Sequence, residues 1–414
     1  MADRWLVCMR CGSEFALSPY FLGCPNCVGQ LPGAALEVRY DLDAAKRELA
    51  NGSLDECRTD LLRFSPLLPV RYPEQAVTLG EGGTPLISVR RFNNAIGLYN
   101  LTLKNESQNP TWSYKDRFNA MSVSVAREMG FEKIASSSTG NHGASAAAYA
   151  AAAGMRCAVL LPDETPELLL DLIQAYGAQA IVTRWQARGR LLETLVRDHG
   201  WFPTSTLAPM PVGSPFGIEG YKTIAFEMIL ASRHAPLEFV FVPVGGGDGL
   251  YGLFKGWREF LEIGLADQMP KFVACQAAGA NAVVRSVAAR QSTITPIEDA
   301  WSIATSAREA TAGDHVLSAI YGSGGFAIDV TDAEIRDAMK LLARHGIAVE
   351  AASALSVAGA KKALSHDLIS ETANVAALLT STVIKWPQHL AELGTRPATI
   401  SSSFDELREV LVVE

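Results

Sequence analysis

Lysine and arginine form no block anywhere in this chain, and the formal charge is −8, so nucleic acid is not an expected partner. No apolar run reaches membrane-spanning length unbroken. The alanine-rich stretch from Ala144 soon meets Gly154 and Arg156, and glycines interrupt Glu238 to Phe254, so no membrane partner is expected either. The opening Met-Ala-Asp-Arg-Trp-Leu-Val-Cys lacks a basic segment followed by a long apolar one. That pattern gives no secretory signal, and the expected compartment is cytoplasmic. Internal repeats and low-complexity segments are also missing. What remains is 414 residues, 48% hydrophobic and 19% charged, enough for two or three domains with ample core.

Cysteine is scarce at seven, but four are paired: Cys8-Met-Arg-Cys11 and Cys24-Pro-Asn-Cys27. Each C-x-x-C pair can turn two thiolates toward one ion, and two pairs complete a tetrahedral four-sulfur site. Two disulfides are the rival, which a reducing compartment opposes. Four idle thiols are another, opposed by the paired spacing with Gly12 and Pro25. A structural Zn2+ on Cys8, Cys11, Cys24 and Cys27 is expected, with no open position and hence no catalysis. Cys57, Cys157 and Cys275 are scattered, and the last two lie in apolar runs as ordinary buried thiols.

After the ribbon, Val38 to Leu42 reads as a strand entering the body and Leu42 to Leu62 as a helix broken at Asn51-Gly52. Tyr99 to Lys104 alternates as a strand. A regular rhythm follows. Helices at 116–129, 142–153, 166–176 and 187–198 alternate with strands at 133–136, 156–161, 179–183 and near Trp201. The passage from Ala208 to Gly217, rich in Pro, Gly and Ser, reads as a domain crossing. Beyond it come a helix at 218–232, an apolar strand at 239–244, strands near 271–276 and 374–379, and an amphipathic helix at 332–344. Such alternation predicts an α/β fold of parallel sheets covered by helices.

Three segments carry candidate chemistry. In Asn109-Pro110-Thr111-Trp112-Ser113-Tyr114-Lys115-Asp116-Arg117, turn residues lead into a helix that starts near Lys115. The positive end of the helix dipole favours a free amine there, the form that attacks a carbonyl; a merely solvated lysine is the plain alternative. The strand at 239–244 runs into Gly245-Gly246-Gly247-Asp248-Gly249 and then a helix. Unobstructed N–H groups at a helix start make a phosphate cradle, although the loop matches neither G-x-G-x-x-G nor the P-loop, and a flexible turn is its rival. Ser137-Ser138-Thr139-Gly140-Asn141-His142-Gly143 follows another strand, and its hydroxyls and N–H groups suit a substrate carboxylate as well as they suit plain capping. His142 alone fits a structural histidine. Thr380, at the end of the strand at 374–379, faces the crevice where open parallel sheets bind ligands. An aldehyde-seeking lysine, a phosphate cradle and a carboxylate turn together specify pyridoxal 5'-phosphate acting on a small amino-acid substrate.

These residues resemble the threonine synthases, within the fold-type II pyridoxal-phosphate enzymes. The resemblance runs nearly end to end: the paired cysteines, Glu81-Gly82-Gly83-Thr84-Pro85-Leu86, the lysine segment, Ser138-Thr139-Gly140-Asn141, Glu219-Gly220-Tyr221-Lys222-Thr223, Val242-Pro243-Val244-Gly245-Gly246-Gly247 and Glu350-Ala351-Ala352-Ser353-Ala354. It implies that Lys115 holds the cofactor covalently and is catalytic, that Asn141 meets its 3-hydroxyl, that Gly245 to Gly249 hold its phosphate and that Thr380 meets its ring nitrogen. Ser138, Thr139 and Gly140 would take the substrate carboxylate, with His142 beside them. It also implies a tryptophan synthase β-like architecture of two open parallel-sheet domains with the site between them. The expected division is a ribbon at 1–36, a small domain at 118–206, and a large domain from 37–117 and 207–414. A homodimer is implied too.

The chain departs from the family where substrate would sit. Trp112 replaces a glycine, Tyr114 a phenylalanine and His142 a threonine. Both glycines of a late T-G-x-G-x-K element are gone from Thr380-Ser381-Thr382-Val383-Ile384-Lys385. The leading expectation is a lyase that converts O-phospho-L-homoserine and water to L-threonine and phosphate. A serine/threonine dehydratase-like ammonia-lyase is the alternative, and an inactive cofactor-binding relative is a third reading. A phosphorylated substrate needs a second anion site, for which Lys104, Arg117, Arg156, Lys222 and Lys385 are candidates.

Overall fold

The computed structural model describes residues 2–27, 29, 33–50, 58–207, 213–395 and 397–411. At the amino end, β1 (Arg4–Cys8) pairs antiparallel with β2 (Glu14–Phe15) on one side and β3 (Leu36–Tyr40) on the other. The sequence placed that third strand with the body. All five residues of β3 face β1 instead, Arg4 opposite Tyr40 and Cys8 opposite Leu36, so the ribbon sheet runs past residue 36. The helix expected over 42–62 is shorter, Leu42–Glu48, with Asp41 accepting from the Ala44 N–H at its start. Its expected break at Asn51-Gly52 lies outside the described residues, and Leu61–Leu67, with Pro66 inside, winds as tighter 3-10 turns.

Two further sheets form the body. β4 (Leu86–Ile87) and β5 (Leu101–Asn105) precede a parallel group of β6 (Lys133–Ser137), β7 (Arg156–Pro162), β8 (Gln179–Thr183) and β9 (Phe202–Pro203). Then come β10 (Phe239–Pro243), β11 (Lys271–Ala277), β12 (Phe326–Val330) and β13 (Val375–Leu379). The smaller sheet has the order β8-β7-β6-β9, and the larger one β12-β11-β10-β13-β5-β4. Every pair in the larger sheet is parallel except β4 with β5, so its strands come from both sides of the segment that makes the smaller one. β10 and β13 are buried at every position, as strands covered by helices on both faces must be.

Helix packing sets where the lysine sits. Helix Lys115–Glu128 lies so close to helix Pro215–Ala231 that a Cβ at Gly220 would stand 1.8 Å from the Arg117 carbonyl oxygen. Helix Asp248–Glu262 then packs on Pro215–Ala231 through Gly252 and Gly256, whose Cβ atoms would come within 2.7 and 2.6 Å of Tyr221 and Lys222. The lysine and the glycine loop are thereby fixed relative to each other by backbone contact. No helix among the described residues is long and apolar enough to cross a membrane.

Candidate active site

The lysine turn is held from below by buried acids. Asp116 accepts from the Thr111 N–H (2.7 Å) and hydroxyl (2.5 Å), which closes the turn onto the first residues of the helix. Asn109 donates to the Glu106 carboxylate (2.8 Å) and accepts from the Gly82 N–H (3.1 Å). Between them Trp112 adopts φ +60°, the left-handed region, where its carbonyl accepts from the Ser381 hydroxyl (3.0 Å) and the Thr382 N–H (3.3 Å). Lys115 is the first helical residue, and its Nζ donates to the Tyr114 hydroxyl at 3.2 Å. That ammonium lies 4.5 Å from the Tyr114 ring centre and 5.6 Å from that of Tyr221, and the two rings stack at 4.6 Å.

Lys115 opens onto a cavity of about 740 Å³, lined also by Ser138, Thr139, Asn141, His142 and the whole run from Gly245 to Gly249. The carboxyl ends of β6 and β10 supply these two turns, which is why residues a hundred positions apart meet there. Gly247 has φ +101°, and Gly246 has no atom near its missing Cβ. The loop thus presents bare backbone at the start of helix Asp248–Glu262. Asp248 is committed elsewhere. Its carboxylate takes the Gly213 N–H at 3.0 Å and stands 3.2 Å from His315 Nε2.

In the other turn, Ser138 Oγ accepts from the N–H groups of Gly140 (3.0 Å) and Gly143 (2.8 Å), so this hydroxyl shapes the loop itself. Asn141 donates to Glu350 at 2.8 Å, and its Oδ1 is buried without a partner among the described residues. Burial and the nearby Lys115 ammonium pull His142 down to about 3, so its ring is neutral, and Nε2 has no partner among the described residues. Two expected site residues stand off the cavity wall. A Cβ at Gly140 would strike Leu169 at 2.5 Å, and the Thr380 hydroxyl is buried 2.8 Å from that of Ser353; neither residue is among those lining the cavity.

The five basic candidates for a second anion site are corrected. Lys104 and Arg117 are buried against Glu106 and Glu227, while Lys222 is buried against Glu219 and Glu259. Lys385, pulled down to about 8 by burial, donates to the Thr111 carbonyl at 2.8 Å, and Arg156 is exposed beside Trp201. None lines the cavity; among the described residues the lysine and arginine that do are Lys115 and Arg188. Sequence reading missed Arg188 because it follows no strand-turn motif. Its only signal is a run of arginines, 184, 188 and 190, around Trp185.

The paired cysteines converge as expected from their spacing. The sulfurs of Cys8, Cys11, Cys24 and Cys27 all lie within 4.8 Å of one another, an arrangement compatible with a metal site. Cys157 and Cys275 are buried free thiols in β7 and β11, and Cys57 lies outside the described residues.

Two parallel sheets with an amine, a glycine cradle and an N–H-rich turn facing one cavity define a cofactor-dependent enzyme of the pyridoxal-phosphate kind. The family described as pyridoxal-phosphate dependent enzyme matches residues 77–381, and the chain belongs to it. Its similarity to curated threonine synthases is nearly end to end. It is 35% identical to that of Methanocaldococcus jannaschii over 409 residues and 34% identical to that of Methanosarcina acetivorans over 413, with 98% of each chain covered in both cases. Among solved structures, the processed threonine deaminase isoform 2 of Solanum lycopersicum shares the fold, with a TM-score of 0.65 at 19% identity over 84% of this chain and 94% of that one. Serine racemase of Dictyostelium discoideum gives 0.58 at 25% identity, over 72% of this chain and 91% of that one. The residues present fit the cofactor: a lysine amine on the wall, bare N–H groups at a helix start, and an orphaned Asn141 Oδ1 between them.

Proposed function

We propose that this lyase converts O-phospho-L-homoserine and water to L-threonine and phosphate, with pyridoxal phosphate attached at Lys115. The observation that carries the reading is one cavity joining Lys115, the Gly245–Gly249 loop and the Ser138–Asn141 turn, in a chain 35% identical to a threonine synthase over nearly its full length. Bound there, the cofactor supplies an electron sink for charge developing on the substrate carbons. Lys115 Nζ takes the α-proton and returns protons along the side chain, with the Tyr114 hydroxyl beside it. The N–H groups of Gly245, Gly246 and Gly247 and the helix behind them hold the cofactor phosphate, and Asn141 the 3-hydroxyl.

The substrate carboxylate goes to the N–H groups of Thr139, Asn141 and His142, because those of Gly140 and Gly143 already serve Ser138. Thr380, whose hydroxyl lies 2.8 Å from that of Ser353, is the group this reading assigns to the ring nitrogen. A neutral hydroxyl there does not protonate the ring, which suits elimination and replacement at the β- and γ-carbons. The four cysteines hold a structural Zn2+, and the enzyme is a cytoplasmic homodimer.

A second reading has one observation in its favour. Among the described residues, Asp248, Glu309 and Asp314 line the cavity alongside one lysine and one arginine, a balance that also suits elimination from a hydroxy or diamino acid. Parallel assays of the purified enzyme separate the two. Stoichiometric phosphate and threonine from O-phospho-L-homoserine support the first reading. Keto acid from serine, threonine or diaminopropionate, without phosphate release, replaces it with the second.

A further inference from the structure

The far end of the cavity holds a charge that neither the lysine nor the glycine loop explains. Helix Arg188–His199 starts on the cavity wall, with Arg188 and Gly189 both facing it and no acidic residue in the first turn. A guanidinium at the positive end of a helix is repelled by the dipole. This one is also only 8% exposed, and burial lowers its affinity for its proton. Neutral groups hold it. Nε donates to the Trp185 carbonyl (3.3 Å), Nη1 donates to the Ser138 carbonyl (3.0 Å), and the guanidinium sits 4.2 Å from the Trp185 ring centre. Nη2 has no acceptor among the described residues.

The neighbouring charges are otherwise engaged. Arg308, also stacked on Trp185 at 4.5 Å, is paired with Glu164. Asp314 accepts from the Ile294 N–H at 3.1 Å, and Asp248 from Gly213. Glu309 remains, its carboxyl pushed up by desolvation and drawn down by Arg188, Lys115 and Arg308, the cations that face it.

We propose that Arg188, with the open N–H groups of the helix it begins, binds the anionic far end of the substrate, a phosphate monoester on the amino-acid side chain. This rests on the phosphohomoserine reading and adds its specificity residue. The bond from Nη1 to Ser138 fixes this anion site at a set distance from the turn that holds the α-carboxylate, so Arg188 measures side-chain length as well as charge.

The test uses holoenzyme. Arg188→Gln raises KM for O-phospho-L-homoserine about tenfold or more, the usual worth of a charge-assisted hydrogen bond, with Arg188→Lys intermediate. Cofactor absorbance, and the spectral response to unphosphorylated L-homoserine, change less than twofold. Gly189→Asp covers the case in which Arg188→Gln fails to fold. Its Cβ points into open space, and an acid is favoured in a first helical turn, yet it sets a carboxylate beside the proposed anion and raises KM likewise. Unchanged KM in both variants, with the parent releasing phosphate, overturns the proposal. If the parent releases no phosphate, the reaction reading fails, and inorganic phosphate decides about the site alone. Thermal stabilisation of the parent by phosphate that Gly189→Asp or Arg188→Gln abolishes supports it; equal stabilisation, or none, overturns it.

Discussion

Replacing Arg117 by methionine removes the cation on which the lysine helix is seated. The guanidinium is fully buried and donates to Glu106 at 2.7 and 2.9 Å, to Glu227 at 2.6 and 2.8 Å, to Thr223 at 2.9 Å and to Thr84 at 3.1 Å. Methionine fills much of the volume but leaves two buried carboxylates to share Lys104, which reaches Glu227 at 2.5 Å and Glu106 only at 3.9 Å. Stranding one partner of a buried ion pair costs about 3–5 kcal/mol.

The pH dependence of that loss has a definite sign. In the parent, Arg117 and Lys104 overcome burial and hold Glu227 down to about 2, so the cluster contributes fully above the ordinary carboxylate range and is lost only toward pH 2. In the variant one carboxyl is raised and takes up a proton in the folded state, which relieves the strain at low pH. The deficit in urea unfolding, followed by circular dichroism, is therefore expected to be larger at pH 8 than at pH 5. A deficit under 1 kcal/mol at pH 8, or one that does not grow with pH, refutes the reasoning. The folded fraction retains an unchanged KM, since Arg117 does not touch the cavity.

Three further outcomes are expected. Trp112→Gly relieves a left-handed residue that is 45% exposed and so buries little; unfolding measurements should show a gain of about 0.5–1 kcal/mol, and a loss above 1 kcal/mol contradicts it. His142, held down to about 3, contributes stability above pH 6.5 that fades as pH falls toward 3. A pH–rate profile from 5 to 8 should carry no inflection from it, so an inflection near 6.5 in the parent that His142→Gln removes is the contrary result. One metal ion per chain is expected by elemental analysis, with Cys24→Ser losing it and melting at lower temperature; metal-free protein of unchanged stability rules this out.

Strand–turn–helix units were the legible part of this fold, because β6 and β10 each run into a turn of small residues that could be read straight from the chain. Helix Ala351–Ser365 was not legible. It is built almost wholly of small residues and is buried on nearly all sides, so it shows no 3.6-residue alternation. β12 is only half-buried and was not read from the chain, whereas the two-residue β9 at Phe202–Pro203 falls where a strand near Trp201 was expected. Within the site, backbone-based parts were readable because glycine and hydroxyl runs announce them. Side chains that act through tertiary contact were not. Arg117 and Lys104 looked like free cations because their acids, Glu106 and Glu227, lie on other elements, and Arg188 reaches the cavity only because β6 brings Ser138 beneath it.

The central claim is a covalent link between Lys115 Nζ and pyridoxal phosphate, and reducing the holoenzyme with borohydride before peptide mass analysis tests it directly. The account predicts one cofactor-sized adduct, on the peptide carrying Lys115, and a folded but colourless Lys115→Ala. An adduct on another lysine, such as the buried Lys385, or no adduct after the cofactor is supplied, would contradict it.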